Sequence, residues 1–148
     1  MASTVEPSGA AGAERSRGLS LLVVIPALDE EKTVGSVIRG IPRDLPGVAR
    51  VEVLVVDDGS RDRTGAEAEA AGARVVRHES PRGVGAAFGT ALRHAIDDGA
   101  DLVVSIDADG QFDPRDIPAL IEPVCSGRSI SRPPHASRIP SWFPGCPS

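Results

Sequence analysis

Two aspartates one residue apart, Asp107 and Asp109, are the residues best placed by type and spacing to do chemistry. They follow Leu102, Val103, Val104 and Ile106, an apolar and mostly β-branched run that reads as a strand buried on both faces. Gly110 and Pro114 then break the run. Two carboxylates at the end of a buried strand repel each other unless something lies between them. A hard divalent cation, Mg²⁺ or Mn²⁺, removes that conflict, because such ions prefer carboxylate oxygens and often share their coordination with substrate phosphates. On its own D-x-D is equally the composition of a solvated turn, where Asp bonds its own backbone.

The same pattern recurs twice upstream. An apolar run delivers Pro26, Ala27, Leu28, Asp29, Glu30 and Glu31, and another delivers Asp57, Asp58, Gly59 and Ser60. A helix N-cap needs one acid, as Asp29 or Asp62 would supply, at about 1 kcal/mol each. These ends carry pairs, and clustered carboxylates are unfavourable unless a cation or hydrogen-bond donors occupy the space. A fourth element, Arg82 to Gly89, spaces its glycines as G-x-G-x-x-x-G. It opens a helix, so its backbone N–H groups suit an anion, while close helix–sheet packing explains Gly83, Gly85 and Gly89 equally well. It matches neither the dinucleotide fingerprint nor a G-K-[ST] loop. His78 and His94 lie in charged, exposed-looking stretches, and Asp97, Asp98 and Asp101 read as a solvated loop. No Ser-His-Asp or Cys-His set can be assembled, and no catalytic residue is assigned.

Alternating elements must position these clusters. Strands are predicted at 21–25, 51–56, 74–77 and 102–106, and helices at 33–41, 64–71, 85–98 and 114–124. The third helix is expected to bury Phe88, Ala91, Leu92, Ala95 and Ile96, and the last to bury Ile117, Leu120, Ile121 and Val124, with Pro123 ending or fraying it. Strand–helix alternation with near-continuous apolar strands implies an α/β fold, a mostly parallel sheet with helices on both faces. Ligands of such sheets bind beyond the carboxyl ends of the strands, where the acidic clusters fall.

Composition bounds the rest. The chain has 148 residues, a net charge of −5 and only 3% aromatics, so aliphatic residues must fill one core. The acidic balance argues against a nucleic-acid partner. No apolar run approaches a membrane span, and residues 1–18 lack a signal core, which points to a cytoplasmic protein. Cys125 and Cys146 have neither metal-type nor disulfide-type spacing. Charge divides the chain at about Gly127: residues 19–127 carry the acidic excess, whereas residues 128–148 hold three Arg, no acid and five of the 13 prolines. The expected organisation is a disordered leader (1–18), a core (19–127) and an aberrant, disordered Pro/Ser/Arg-rich tail (128–148), for which a frame-shifted or early-ended reading frame is one origin.

Taken together, V-V-I-P-A-L-D-E-E, V-V-D-D-G-S-R-D-R-T, G-V-G-A-A-F-G-T-A-L and D-A-D-G-Q-F-D-P occur in the order seen in family 2 glycosyltransferases of the GT-A fold. The stretch 21–124 resembles the dolichol- and polyprenol-phosphate sugar transferases most. The resemblance implies a nucleotide-sugar donor site. In it Pro26, Leu28 and Glu30 line the base and ribose pocket, Val56, Asp57 and Asp58 contact the base, and Gly83, Gly85 and Ala108 complete the cradle. Asp107, Asp109 and Gln111 would hold Mg²⁺ or Mn²⁺ against the diphosphate. Leu28 departs from the Tyr common in the first motif. The family also continues into an acceptor-side half that 128–148 does not match, so this chain is expected to be truncated and to carry the donor-binding half. The implied partners are a UDP- or GDP-sugar donor and a lipid-phosphate or saccharide acceptor, with peripheral association at the inner face of a membrane, or a partner chain, left open. A non-catalytic nucleotide-sugar-binding module is the alternative. A nucleotidyltransferase fits less well, because no Gly-rich, Lys-containing loop follows the first strand.

Overall fold

The computed structural model describes residues 18–125. The leader, save Gly18, and the tail lie outside the described residues. Four strands, β1 (Leu19–Ala27), β2 (Val48–Asp57), β3 (Arg74–Arg77) and β4 (Leu102–Ser105), form one sheet in the order β3-β2-β1-β4. Every pairing is parallel, as alternation with helices requires. The helices are α1 (Val34–Gly40), α2 (Thr64–Ala70), α3 (Val84–Asp97) and α4 (Ile117–Cys125), the last entered through a 3₁₀ turn at Pro114–Asp116.

The period of two along β1 and β2 divides the core into two layers. Leu21, Val23, Ile25, Val53 and Val55 point to one face and pack against Val34, Val37, Ile38, Ala68, Ile117 and Ile121 of α1, α2 and α4. Leu22, Val24, Leu54 and Val56 point to the other and meet Ala87, Ala91 and Ala95 of α3. Where helices cover both faces the strands therefore need apolar residues at every position, and Leu21–Ile25 of β1 and Val53–Val56 of β2 supply them.

Four expectations about packing are corrected. β4 is not buried on both faces: it pairs only with β1 among the described residues, and its burial alternates, with Val103 37% exposed. The buried stripe of α3 is Ala87, Ala91 and Ala95, at i, i+4, i+8, while Phe88 and Ile96 are exposed. Small side chains let this helix lie close to the sheet, and closeness rather than side-chain size decides which face turns inward. In α4 only Ile117 and Ile121 are buried, and Leu120 and Val124 are exposed. The helix also runs two residues past Pro123, whose missing N–H removes only one intrahelical bond near the helix end.

Strand ends differ from the apolar runs by a few residues, because backbone pairing continues after the apolar pattern stops. β1 runs through Pro26, paired with Val56, and Ala27, paired with Asp57. The acids of the α3–β4 connection are engaged rather than merely solvated. Asp98 pairs with Arg74, and Asp101 accepts from the N–H and hydroxyl of Ser20, at 2.8 and 3.0 Å. No helix among the described residues is long and apolar enough to cross a membrane.

Candidate functional site

Because β2, β1 and β4 are parallel neighbours, their carboxyl ends open on one rim. Neighbouring strands lie about 4.8 Å apart, so three adjacent strand ends fall within roughly 10 Å of one another. The acidic clusters predicted on separate strands therefore meet here.

The loops after β1 and β2 are tied together. The Asp29 N–H donates to Ser60 Oγ (2.9 Å), the Glu30 N–H to Thr64 Oγ1 (2.9 Å) and the Glu31 N–H to Asp62 Oδ2 (3.2 Å). In return Asp29 Oδ1 accepts from the Arg61 N–H and Glu31 Oε2 from the Arg63 N–H. Asp29 thus caps no helix. It takes a left-handed backbone, φ 52°, and cross-links two loops. Asp62 does serve the start of α2, accepting from the N–H and hydroxyl of Thr64. These links leave Leu28 exposed and Glu30 half-buried on the rim.

Asp57 and Asp58 part in opposite directions, as adjacent strand residues do. Asp57 is fully buried: Oδ1 accepts from the Ser60 N–H (2.9 Å), and Oδ2 has no hydrogen bond. Arg77 stands 3.5 Å from that oxygen, an ion pair without a hydrogen bond, and a Cβ on Gly65 of α2 would lie 3.1 Å from it. Asp58 faces the glycine stretch. Its Oδ1 accepts from His78 Nδ1 (2.7 Å) and the Arg82 N–H (2.9 Å), and its Oδ2 from the Gly83 N–H (2.8 Å). Burial alone would raise the Asp58 pKa; the bonds from His78, Arg82 and Gly83 outweigh it and hold the carboxyl below its ordinary range. An ionised carboxylate offers about four acceptor positions, of which three are filled, so Oδ2 keeps one for a further donor. Val56 is fully buried against α3, and only its backbone reaches the rim. Pro26 is half-buried beside it.

Glycines serve this end in different ways. A Cβ on Gly59, at φ 82°, would fall 2.8 Å from Ser80 C and Pro81 N, so the β2 loop can approach the Ser80–Pro81 backbone this closely only without a side chain there. A Cβ on Gly83, Gly85 or Gly89 would meet nothing within 4 Å. Close packing is therefore not their reason. Gly83 supplies φ 97°, and Gly85 leaves the first turn of α3 bare of side chain.

At the third strand end the carboxylates are open. Asp107 and Asp109 are exposed, and Ala108 between them is buried. The Ala108 carbonyl accepts from Thr33 Oγ1 at 2.6 Å, which pins the turn to the entry of α1. Gly110 takes φ 81°, and the Gln111 N–H donates to Asp109 Oδ1 (3.0 Å). Among the described residues no group of three His, Cys, Asp or Glu side chains forms a cage for a metal ion. Two exposed carboxylates with the Gln111 amide oxygen do fit Mg²⁺ or Mn²⁺. The donors are hard oxygens, and an incomplete set suits ions that keep waters and bind substrate phosphates.

His78 is the main correction among the ionisable residues. It is 7% exposed and bonds Asp58 and Thr90. Thr33, Thr64 and Thr90 also hold the rim without having been singled out in the sequence. Thr33 and Thr64 follow the ends of β1 and β2 by six and seven residues, and Thr90 lies inside α3, so each reads as ordinary loop or helix composition. A cavity of about 350 Å³ lined by Leu45, Pro46, Gly47, Ile121 and Cys125 lies at the opposite end of β2, away from these carboxylates.

A parallel sheet with an acidic carboxyl-end rim matches the GT-A architecture of solved glycosyltransferase structures. The sequence pattern of glycosyl transferase family 2 matches residues 22–141, and the chain belongs to that family. It is 31% identical to the UDP-N-acetylglucosamine–dolichyl-phosphate N-acetylglucosaminyltransferase of Methanococcus voltae, over 81% of this chain and 56% of that one. It is 39% identical to glucosyl-3-phosphoglycerate synthase of Mycolicibacterium paratuberculosis, over 76% of this chain and 36% of that one. The crystal structure of the Mycobacterium tuberculosis glucosyl-3-phosphoglycerate synthase with Mn²⁺, UDP-glucose and phosphoglyceric acid superposes with a TM-score of 0.61 at 34% identity, covering 86% of this chain and 46% of that one. The chain thus spans about half the length, or less, of that structure and of the synthase, and a little over half of the dolichyl-phosphate enzyme.

Proposed function

We propose that the rim of β1, β2 and β4 binds a nucleoside-diphosphate sugar, and that the whole protein transfers the sugar to a phosphate-bearing acceptor. The carrying observation is the open Asp107/Asp109 pair beside two acidic loops already braced by their own hydrogen bonds. Leu28 offers an apolar surface for the base, and Glu30 with the spare position on Asp58 Oδ2 offers acceptors for base or ribose donors. Pro26, Val56 and Asp57 form the floor beneath them. Gly83 and Gly85 leave backbone N–H groups bare at the start of α3, a suitable surface for an anion. Asp107, Asp109 and Gln111 would hold Mg²⁺ or Mn²⁺, which when bound neutralises the diphosphate and stabilises it as a leaving group.

Donor identity is narrowed by the relatives rather than by the rim. Both relatives quoted with a donor use a uridine diphosphate sugar, so UDP ranks ahead of GDP. Their acceptors, a dolichyl phosphate and phosphoglyceric acid, share a phosphate and differ in everything else. Lipid phosphate and small phosphorylated acid are therefore the two acceptors to compare, with a plain saccharide as the third. Isothermal titration of UDP and GDP, with Mn²⁺ and with EDTA, tests the donor half. UDP should bind about tenfold more tightly with the metal, about 1.4 kcal/mol. Equal affinity in both buffers would remove the metal role, and no binding of either nucleotide would overturn the donor reading.

A further inference from the structure

We propose that His78 is a positioning residue that locks the Arg82–Gly83 loop and the start of α3 onto the rim. The ring is buried at the end of β3, where the His78 N–H extends the β2–β3 ladder by bonding the Asp57 carbonyl at 2.9 Å. Its two nitrogens serve different elements. Nδ1 lies 2.7 Å from Asp58 Oδ1 at the end of β2, and Nε2 lies 2.9 Å from Thr90 Oγ1 in the second turn of α3. Asp58 in turn accepts the N–H groups of Arg82 and Gly83, the residues that lead into α3. One imidazole therefore connects two strand ends, a loop and a helix.

The chemistry fixes which proton does this. The Asp58 carboxylate can only accept, so the ring proton sits on Nδ1. Nε2 of the neutral ring then accepts from the Thr90 hydroxyl. If the ring is charged, both nitrogens donate and the Thr90 oxygen accepts, so the network survives either state. What it cannot survive is loss of the Nδ1 donor. Asp58 would then turn in its buried site, and the two loop N–H groups would lose a fixed acceptor. Gly83 and Gly85 face open space rather than packed atoms, so no side-chain contact at either glycine holds this loop in place.

Two amide isosteres separate positioning from space filling. The Asn amide nitrogen reproduces the Nδ1 position, whereas the Gln amide nitrogen reproduces Nε2. Gln is nearer to His in volume, so a merely space-filling ring predicts that His78→Gln is the milder change. Positioning predicts the reverse. Hydrogen exchange read by NMR at the Arg82 and Gly83 amides should be at least about tenfold faster in His78→Gln, and near wild type in His78→Asn. Thr90→Val, isosteric and lacking only the hydroxyl, should show an intermediate rise and guards against misfolding of the Gln variant. Equal exchange in wild type and His78→Gln, or a faster rate in His78→Asn than in His78→Gln, would overturn the proposal. Its consequence for ligand binding rests on the donor reading above: UDP affinity should fall about tenfold in His78→Gln and recover in His78→Asn, the size seen when an outer partner of a binding group is lost. A wild-type chain that binds no nucleotide would sink the donor reading, while exchange at the two amides still decides the role of His78.

Discussion

Two aspartate pairs end two strands of the same sheet, and the structure treats them oppositely. Asp57 and Asp58 are buried and held by Ser60, Arg77, His78, Arg82 and Gly83, with one acceptor position left on Asp58 Oδ2. Asp107 and Asp109 are exposed, and the one hydrogen bond between them and the described chain comes from the Gln111 N–H. The first pair builds the rim, and the second pair is left free for a ligand. The difference follows from strand position. β2 lies inside the sheet with loops from both neighbours folding over its end, whereas β4 pairs only with β1 among the described residues. A carboxylate covered by loops must find donors in the protein, and one at an open strand end need not.

The contrast breaks most visibly under substitution. Asp58→Ala should lower stability by about 2 kcal/mol, because three donors lose a charged acceptor. Urea denaturation followed by circular dichroism measures it, and a change no larger than for Asp107→Ala would show that the two pairs do not differ. Asp109→Asn should do the converse. It should remove most of the metal-dependent gain in UDP affinity, about 1.4 kcal/mol for a tenfold effect, while stability stays within about 0.5 kcal/mol. A large fall in the melting temperature of that variant would place Asp109 in the framework after all.

Acid sharpens the comparison on a smaller scale. The Asp58 carboxyl is lowered in the folded state, so its stabilisation is fully present above the unfolded-state pKa and is lost as pH falls through the folded value. Unfolding free energy of the wild type should therefore decline below about pH 4, the ordinary Asp range, and decline less steeply in Asp58→Asn. Parallel pH profiles would show that Asp58 contributes nothing to acid sensitivity. The smallest effect belongs to a pair outside both clusters. Arg115 pairs with Asp113 at 2.8 Å on the surface, and Arg115→Ala should leave the melting temperature unchanged, since exposed ion pairs are screened and entropically costly. A drop of several degrees would mean that this pair braces the entry to α4.

The sheet, its parallel sense and the helices on both faces were legible in the sequence, because unbroken apolar runs such as Leu21–Ile25, alternating with segments of helical period, suit strands of a parallel sheet covered on both sides. The convergence of Pro26–Glu31, Asp57–Asp58 and Asp107–Asp109 was legible as well, since parallel strands carry their ends to one side. Residue types could not show which helix face turns inward. In α3 the alanines at 87, 91 and 95 displaced Phe88 and Ile96 from the core, a choice set by how close the helix lies to the sheet. Nor could they show that His78 is buried, because its neighbours Arg77 and Glu79 are charged and exposed while its own ring points between β2 and α3. Local pattern determined what each segment is and which end carries acid. Tertiary structure alone decided which acids are spent on holding the rim and which stay open, because that depends on the loops that fold over each strand end, and those loops come from elsewhere in the chain.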